Sequence, residues 1–83
     1  LFRSAESLND AEIDFVCTKA DKTIYIQVAY LITEHDVDRE FGNLESIRNN
    51  YPKYVISADS IDMSRNGITH LNIIDFLNQV VEW

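Results

Sequence analysis

Nine consecutive residues, 23–31 (T-I-Y-I-Q-V-A-Y-L), constrain this chain more than any other stretch. The run is dense in β-branched and aromatic side chains, which pack well on a pleated surface and lose rotamer freedom in a helix. Alternation sends Ile24, Ile26, Val28 and Tyr30 to one face and Tyr25, Gln27, Ala29 and Leu31 to the other. Both sets are largely apolar, as in a strand covered on both sides. The run therefore reads as the central strand of a sheet with layers on both faces. Gln27 is its polar exception, and chemistry is sought there first.

The flanking segments supply the rest of the sheet. In residues 12–17, Ile13, Phe15 and Cys17 alternate with Glu12, Asp14 and Val16, which predicts a second strand with Cys17 as a small core hydrophobe. The short polar link Ala20-Asp21-Lys22 joins it to the central strand as an antiparallel hairpin. Residues 1–8 read either as an edge strand or as the cut end of something longer; the edge strand is the reading taken, with turn chemistry at Asn9-Asp10.

After Leu31 the apolar period lengthens to about 3.6 residues. Val37, Phe41, Leu44 and Ile47 form one stripe, with Glu34, Asp38, Glu45 and Arg48 mostly outside it. Thr33 and Asp36 have capping-box spacing, Glu34 and Asp36 suit the positive end of the helix dipole, and Asn49-Asn50 before Pro52 ends the segment. Gly42 costs this helix roughly 1 kcal/mol relative to alanine, and is read as a point of close approach to the sheet. Residues 53–57 (K-Y-V-I-S) complete a βαβ unit, expected to be right-handed with parallel strands. A polar connection, 58–67, ends in the turn pair Asn66-Gly67 before a short strand at 68–71. Asn72 and Asp75 then cap a second helix whose apolar face carries Ile73, Ile74, Phe76, Leu77, Val80 and Val81. The predicted class is α/β (α+β): a mixed four- to five-stranded sheet with two helices, in the order β-β-β-α-β-(β)-α.

Composition narrows the functions such a domain can serve. Eighty-three residues make one domain at most. Seven basic against fourteen acidic residues give a net charge of −7, which repels phosphate backbones and disfavours generic nucleic-acid binding. No apolar run approaches the ~20 residues of a membrane span, so no membrane role is expected. A single cysteine fits a reducing, cytoplasmic setting. Two glycines, at 42 and 67, cannot make a phosphate-cradling loop, so no nucleotide is expected on this segment. His35 and His70 have no metal-ligand neighbour at useful spacing and read as solvated or hydrogen-bonded residues.

One constellation carries potential chemistry. Glu12 and Asp14, two apart on one strand, lie beside Gln27 and Ala29 on the next. Acidic side chains so placed are what a Mg²⁺-dependent nuclease needs to hold a hard cation near a scissile phosphate. The second strand, however, offers only a neutral amide and a methyl group. A polar residue at a sheet margin is the competing reading of Asp14.

The segments E-I-D-F-V (12–16), I-Y-I-Q-V-A-Y-L (24–31), R-E-F-G-N-L (39–44), N-Y-P-K-Y-V-I-S (50–57) and G-I-T-H-L-N-I-I-D-F-L (67–77) together resemble the C-terminal domain of predicted prokaryotic AAA-type ATPases. That domain has a fold similar to the PD-(D/E)XK, or restriction-endonuclease-like, nucleases. The resemblance implies that 10–83 is an accessory domain of a longer ATPase, with 1–9 an edge strand or boundary. The nuclease pattern falls on Asp14, Gln27 and Ala29, so its glutamate and lysine positions are both replaced. A lysine or arginine from elsewhere, such as Arg39 or Lys22, could substitute, but nothing in the sequence aims either there. The function expected is a non-catalytic interaction domain, partnered by its own upstream ATPase module, by a second copy or by another protein. The alternatives are a residual metal-dependent DNase using Glu12 and Asp14, or a purely structural appendage. No cofactor is expected on this segment unless cleavage persists, which would require Mg²⁺; ATP and Mg²⁺ are implied only for the upstream module.

Overall fold

The computed structural model describes residues 2–8 and 11–80, with side-chain detail for 13–79. Five strands form one sheet in sequence order: β1 (Phe2–Leu8), β2 (Ala11–Lys19), β3 (Lys22–Val28), β4 (Lys53–Ser57) and β5 (Thr69–Asn72). Strands β1, β2 and β3 form an antiparallel meander, and β3, β4 and β5 run parallel. Helix α1 (Val37–Glu45) lies in the crossing from β3 to β4, and α2 (Ile73–Val80) follows β5 directly. This is the α+β class and mixed sheet that the sequence pattern predicts, with residues 2–8 as the edge strand. Asn9-Asp10 and Val81 lie outside the described residues.

The central strand is β3, and its Ile24, Tyr25, Ile26 and Gln27 are all buried. Its two faces feed two cores. Tyr25 joins Val16, Val55 and Ile68 beneath Phe41 and Leu44 of α1, while Ile24 and Ile26 join Cys17 and Ile56, packed by Tyr54, Leu71 and Phe76 on the α2 side. Phe41 and Leu44 have no exposed surface, so α1 is held to the sheet by full burial of its stripe. Arg65 fastens the far end of α1. Its guanidinium donates to Glu45 at 3.0 and 3.2 Å and to Asp38 at 2.9 Å, and lies 5.0 Å over the Phe41 ring.

Several local expectations are corrected. Strand β3 stops at Val28, and Tyr30 and Leu31 are 83% and 50% exposed instead of buried. The cause is a shortage of neighbours: β2 last pairs with β3 at Phe15↔Ile26, and β4 ends at Ser57. Past this point the chain is held by Ala29 N–H to Ile56 O, Ala58 N–H to Tyr30 O, and Ile32 N–H to the Asp59 carboxylate. Past the last β2–β3 pair, Ile13 packs into the α1-side core and not with Phe15 and Cys17 as alternation predicts.

Thr33 does not cap α1. Its carbonyl accepts from the N–H groups of Asp36 and Val37, and its hydroxyl donates to the Asp36 carboxylate, so it closes a turn and the helix begins after Asp36. His35 therefore sits in that turn, outside the helix. The helix ends at Ser46, well before Asn49-Asn50, although Ile47 remains buried. Gly42 is not a point of close approach, since a Cβ there would meet nothing within 4 Å.

The Asn66-Gly67 turn and the Asn72 cap act as expected. Asn66 and Gly67, with φ of 51° and 80°, close a two-residue turn between Arg65 and Ile68, the left-handed geometry that Asn-Gly favours. Asn72 Oδ1 accepts from Ile74 N–H at 2.9 Å and caps α2.

Candidate functional site

Where β2 and β3 part, the Asp14 side chain takes over from the ladder: its Oδ2 accepts the Val28 N–H at 2.9 Å. Gln27, next along β3, projects into the gap under α1. Across it lies Glu40 of α1, and a cleft of about 270 Å³ is lined by Asp14, Gln27, Val28, Arg39, Glu40 and Asn43. The helix is locked over this opening because Phe41 and Leu44, one and four residues on, are fully buried.

The electrostatics of the cleft are unbalanced. Gln27 and Glu40 are only 8% and 7% exposed, yet Gln27 Oε1 and Glu40 Oε2 have no hydrogen-bond partner. A buried acceptor left unpaired costs about 1–3 kcal/mol. Arg39 supplies one cation, 3.2 Å from Glu40 Oε1, but it is shared with Asp36 at 3.3 Å and is largely exposed. Burial pushes the Glu40 carboxyl above its usual range; Arg39 opposes this, and the charges of Asp14 and Asp36 reinforce it.

The structure thus brings together Asp14, Gln27 and Arg39 of the sequence candidates and adds Glu40. Ala29 packs partly buried against the α1-side core and contributes no functional group. Lys22 stands at the opposite end of β3, paired with Lys19 across the hairpin, and cannot replace a lysine at position 29. Glu12 lies on β2 opposite Ser7, and its side chain is outside the described ones. Among the described residues no group of three His, Cys, Asp or Glu side chains converges as a metal site. Glu40 escaped sequence reasoning although a signal was present. It falls three residues after Val37 and four before Leu44, inside the apolar stripe, where a carboxylate is out of place.

Two other clusters have the ingredients of chemistry but the wiring of structure. Ser57, His70 and Asp59 are linked at 2.7 and 2.8 Å, like a hydrolase triad. However, the Met63 N–H donates to His70 Nδ1, which leaves the proton on Nε2, so the imidazole donates to Ser57 and cannot act as its base. Ser57 in turn donates to Asp59, whose carboxyl is held below the usual range first by the Ile32 N–H and then by Ser57. The trio pins the loop between β4 and β5. Lys53 is buried beside the Tyr25 ring, and burial lowers its pKa, but Nζ donates to Asn49 O, Asn49 Oδ1 and Tyr51 O, which occupies all three protons. Cys17 is likewise buried, and burial pushes its thiol upward, away from nucleophilic use.

No helix among the described residues is long and apolar enough to cross a membrane. No family model matches the chain, and no solved structure matches it. The chain is similar to an uncharacterised protein of Haemophilus influenzae, with 37% identity over 73 residues, covering 87% of this chain and 18% of that protein. The chain therefore spans less than a fifth of the length of the relative it matches.

Proposed function

We propose that this domain is a non-cleaving accessory module that docks onto the remainder of a longer polypeptide, an AAA-type ATPase, in the cytoplasm. The observation that carries the docking reading is an apolar surface at the open end of the sheet. Val28, Ala29, Tyr30, Ile56 and Ile73 line a groove of about 220 Å³, and Ile74 and Leu77 extend its apolar character along α2. Tyr30, Ile74 and Leu77 are 83%, 61% and 51% exposed, and clustered apolar exposure of this kind marks interaction surfaces. The occupant is taken to be the same polypeptide because the Haemophilus relative carries its matching segment within a chain more than five times as long. The resemblance to AAA-associated domains supplies the ATPase part of the proposal.

Cleavage is set aside on chemical grounds. The position of the nuclease lysine is Ala29, and Arg39, the one basic residue lining the cleft among the described residues, is already paired with Glu40 and Asp36. Plasmid incubated with the domain and Mg²⁺ or Mn²⁺ is expected to remain intact; nicking that disappears in Asp14→Ala would establish the nuclease reading instead.

The docking test compares amide hydrogen exchange in the isolated domain and in a longer polypeptide that contains it. Slower exchange confined to residues 28–31 and 73–77 in the longer chain is the expected result, reversed by the combined Y30S/L77S change. Unchanged exchange there overturns the proposal. Concentration-dependent self-association of the isolated domain, abolished by the same changes, would assign the surface to a second copy.

A further inference from the structure

The docking groove is apolar, but its surroundings are not. Ile73 at the start of α2 lines the groove, and on the other side of that helix start lies a notch of about 140 Å³. Asp59, Asp62 and Asp75 line the notch together with Ile61, an apolar side chain that is 71% exposed. Among the described residues no lysine or arginine lines it. Two of its carboxyls are held below the usual range and so stay ionised: Asp59 by the Ile32 N–H and then the Ser57 hydroxyl, Asp62 by the Ser64 hydroxyl and then the Ser64 N–H. On the opposite flank, Val28 also lines the cleft that holds Asp14, where Arg39 is already paired. The apolar strip thus runs between carboxylates on both sides.

Resting on the docking reading above, we infer that the groove receives an amphipathic helix of the same polypeptide, from outside these 83 residues, whose apolar stripe is flanked by lysine or arginine. Side chains, not a strand ladder, make this surface. The N–H groups of Val28, Ala29 and Ala58 already have acceptors, so an added strand finds no row of donors. Ile73, Ile74 and Leu77 are spaced i, i+1 and i+4 on α2 and form a ridge against which a second helix packs. A cationic flank then meets Asp59, Asp62 and Asp75 at the rim, where opposite charges set partner choice without being fully desolvated. A second copy of this chain meets the opposite condition. A two-fold contact sets the acidic rim against itself, between chains of net charge −7. The match covers 18% of the Haemophilus relative, so most of that protein lies outside it and can supply the helix.

The test reads amide hydrogen exchange at residues 28–31 and 73–77 in a longer polypeptide that contains this domain, each value taken relative to the isolated chain in the same salt. It is run at about 0.1 M and about 1 M salt, between which the screening length falls from about 10 to about 3 Å. Protection is expected to weaken about three- to tenfold at high salt, and by a similar factor at low salt in Asp75→Lys, which reverses one exposed rim charge. Asp75→Asn, which keeps the side-chain shape, should give a smaller loss in the same direction and keeps the test decisive if Asp75→Lys folds poorly. The segment outside the 83 residues that gains protection together with 28–31 should carry its apolar residues at three- to four-residue spacing, flanked by lysine or arginine; two-residue alternation there overturns the helix. Protection indifferent to salt and to both Asp75 changes overturns the cationic partner and leaves the docking reading standing, because apolar contacts are not screened. Absence of protection at either salt removes both. Self-association of the isolated chain that salt promotes assigns the surface to a second copy and also overturns the inference.

Discussion

At the scale of single residues, the structure departs from its sequence pattern at Glu40. A carboxylate in an apolar stripe is desolvated on folding, and its pKa rises above the usual value of 4.5. The folded state thus holds the proton more tightly than the unfolded chain. The resulting contribution to stability is fully present below about pH 4.5, and is lost as pH rises through the folded-state value. Glu40→Gln should therefore melt higher than the native sequence at pH 7, and the two should converge as pH falls towards 4.5. The glutamine carries no charge to desolvate, and the Arg39 partner it forfeits is itself 69% exposed. Melting curves across this range check it; a Glu40→Gln that is less stable at pH 7 would refute it. The Ser57–His70 pair gives a second residue-scale expectation. Ser57→Ala leaves a buried imidazole N–H without its acceptor and should cost about 1–3 kcal/mol in urea unfolding. Because the His70 tautomer is set by Met63, the change should leave esterase turnover at background in both proteins.

At the scale of elements, the two glycines have opposite roles. Gly67 is at φ 80°, where a side chain strains the backbone even though the space around it is open. Gly67→Ala should destabilise by about 1–2 kcal/mol. Gly42 lies in the middle of α1 with open space about it, so Gly42→Ala should stabilise by up to about 1 kcal/mol. Chemical denaturation of the two variants tests the pair, and equal signs would show that one assignment is wrong. Element boundaries slipped where a tertiary partner was missing or intervened. The 23–31 pattern is uniform, but only residues 22–28 have strand neighbours on both sides or either side to pair with, and Asp59 captures the Ile32 N–H from a distant loop. Thr33 and Asp36 have the spacing of a capping box, yet the hydroxyl donates to the carboxylate and the helix starts one turn later. Spacing cannot distinguish these two uses of the same atoms.

At the scale of the whole molecule, the domain is a two-faced sheet whose open end carries both a polar cleft and an apolar groove. Val28 belongs to the lining of both, at the point where β3 runs out of partners. An 83-residue chain buries a limited fraction of its surface, which fits the exposed Tyr30, Ile74 and Leu77. The sequence by itself determined the type and order of the elements, the parallel pairing across the βαβ unit, the two-sided burial of the central strand, the Asn66-Gly67 turn and the Asn72 cap. These follow from local periodicity and from backbone preferences that each residue carries with it. It also singled out Asp14 and Gln27, because a polar residue in an apolar run is visible in one dimension. Only the tertiary structure decided that Glu40 meets them, that Lys22 does not, that Gly42 approaches nothing, and that Ser57, His70 and Asp59 form a proton-locked brace. Those relations join residues up to 26 positions apart through the packing of α1 and the 58–68 loop onto the sheet, and no repeat in the chain encodes which side chains such packing brings face to face.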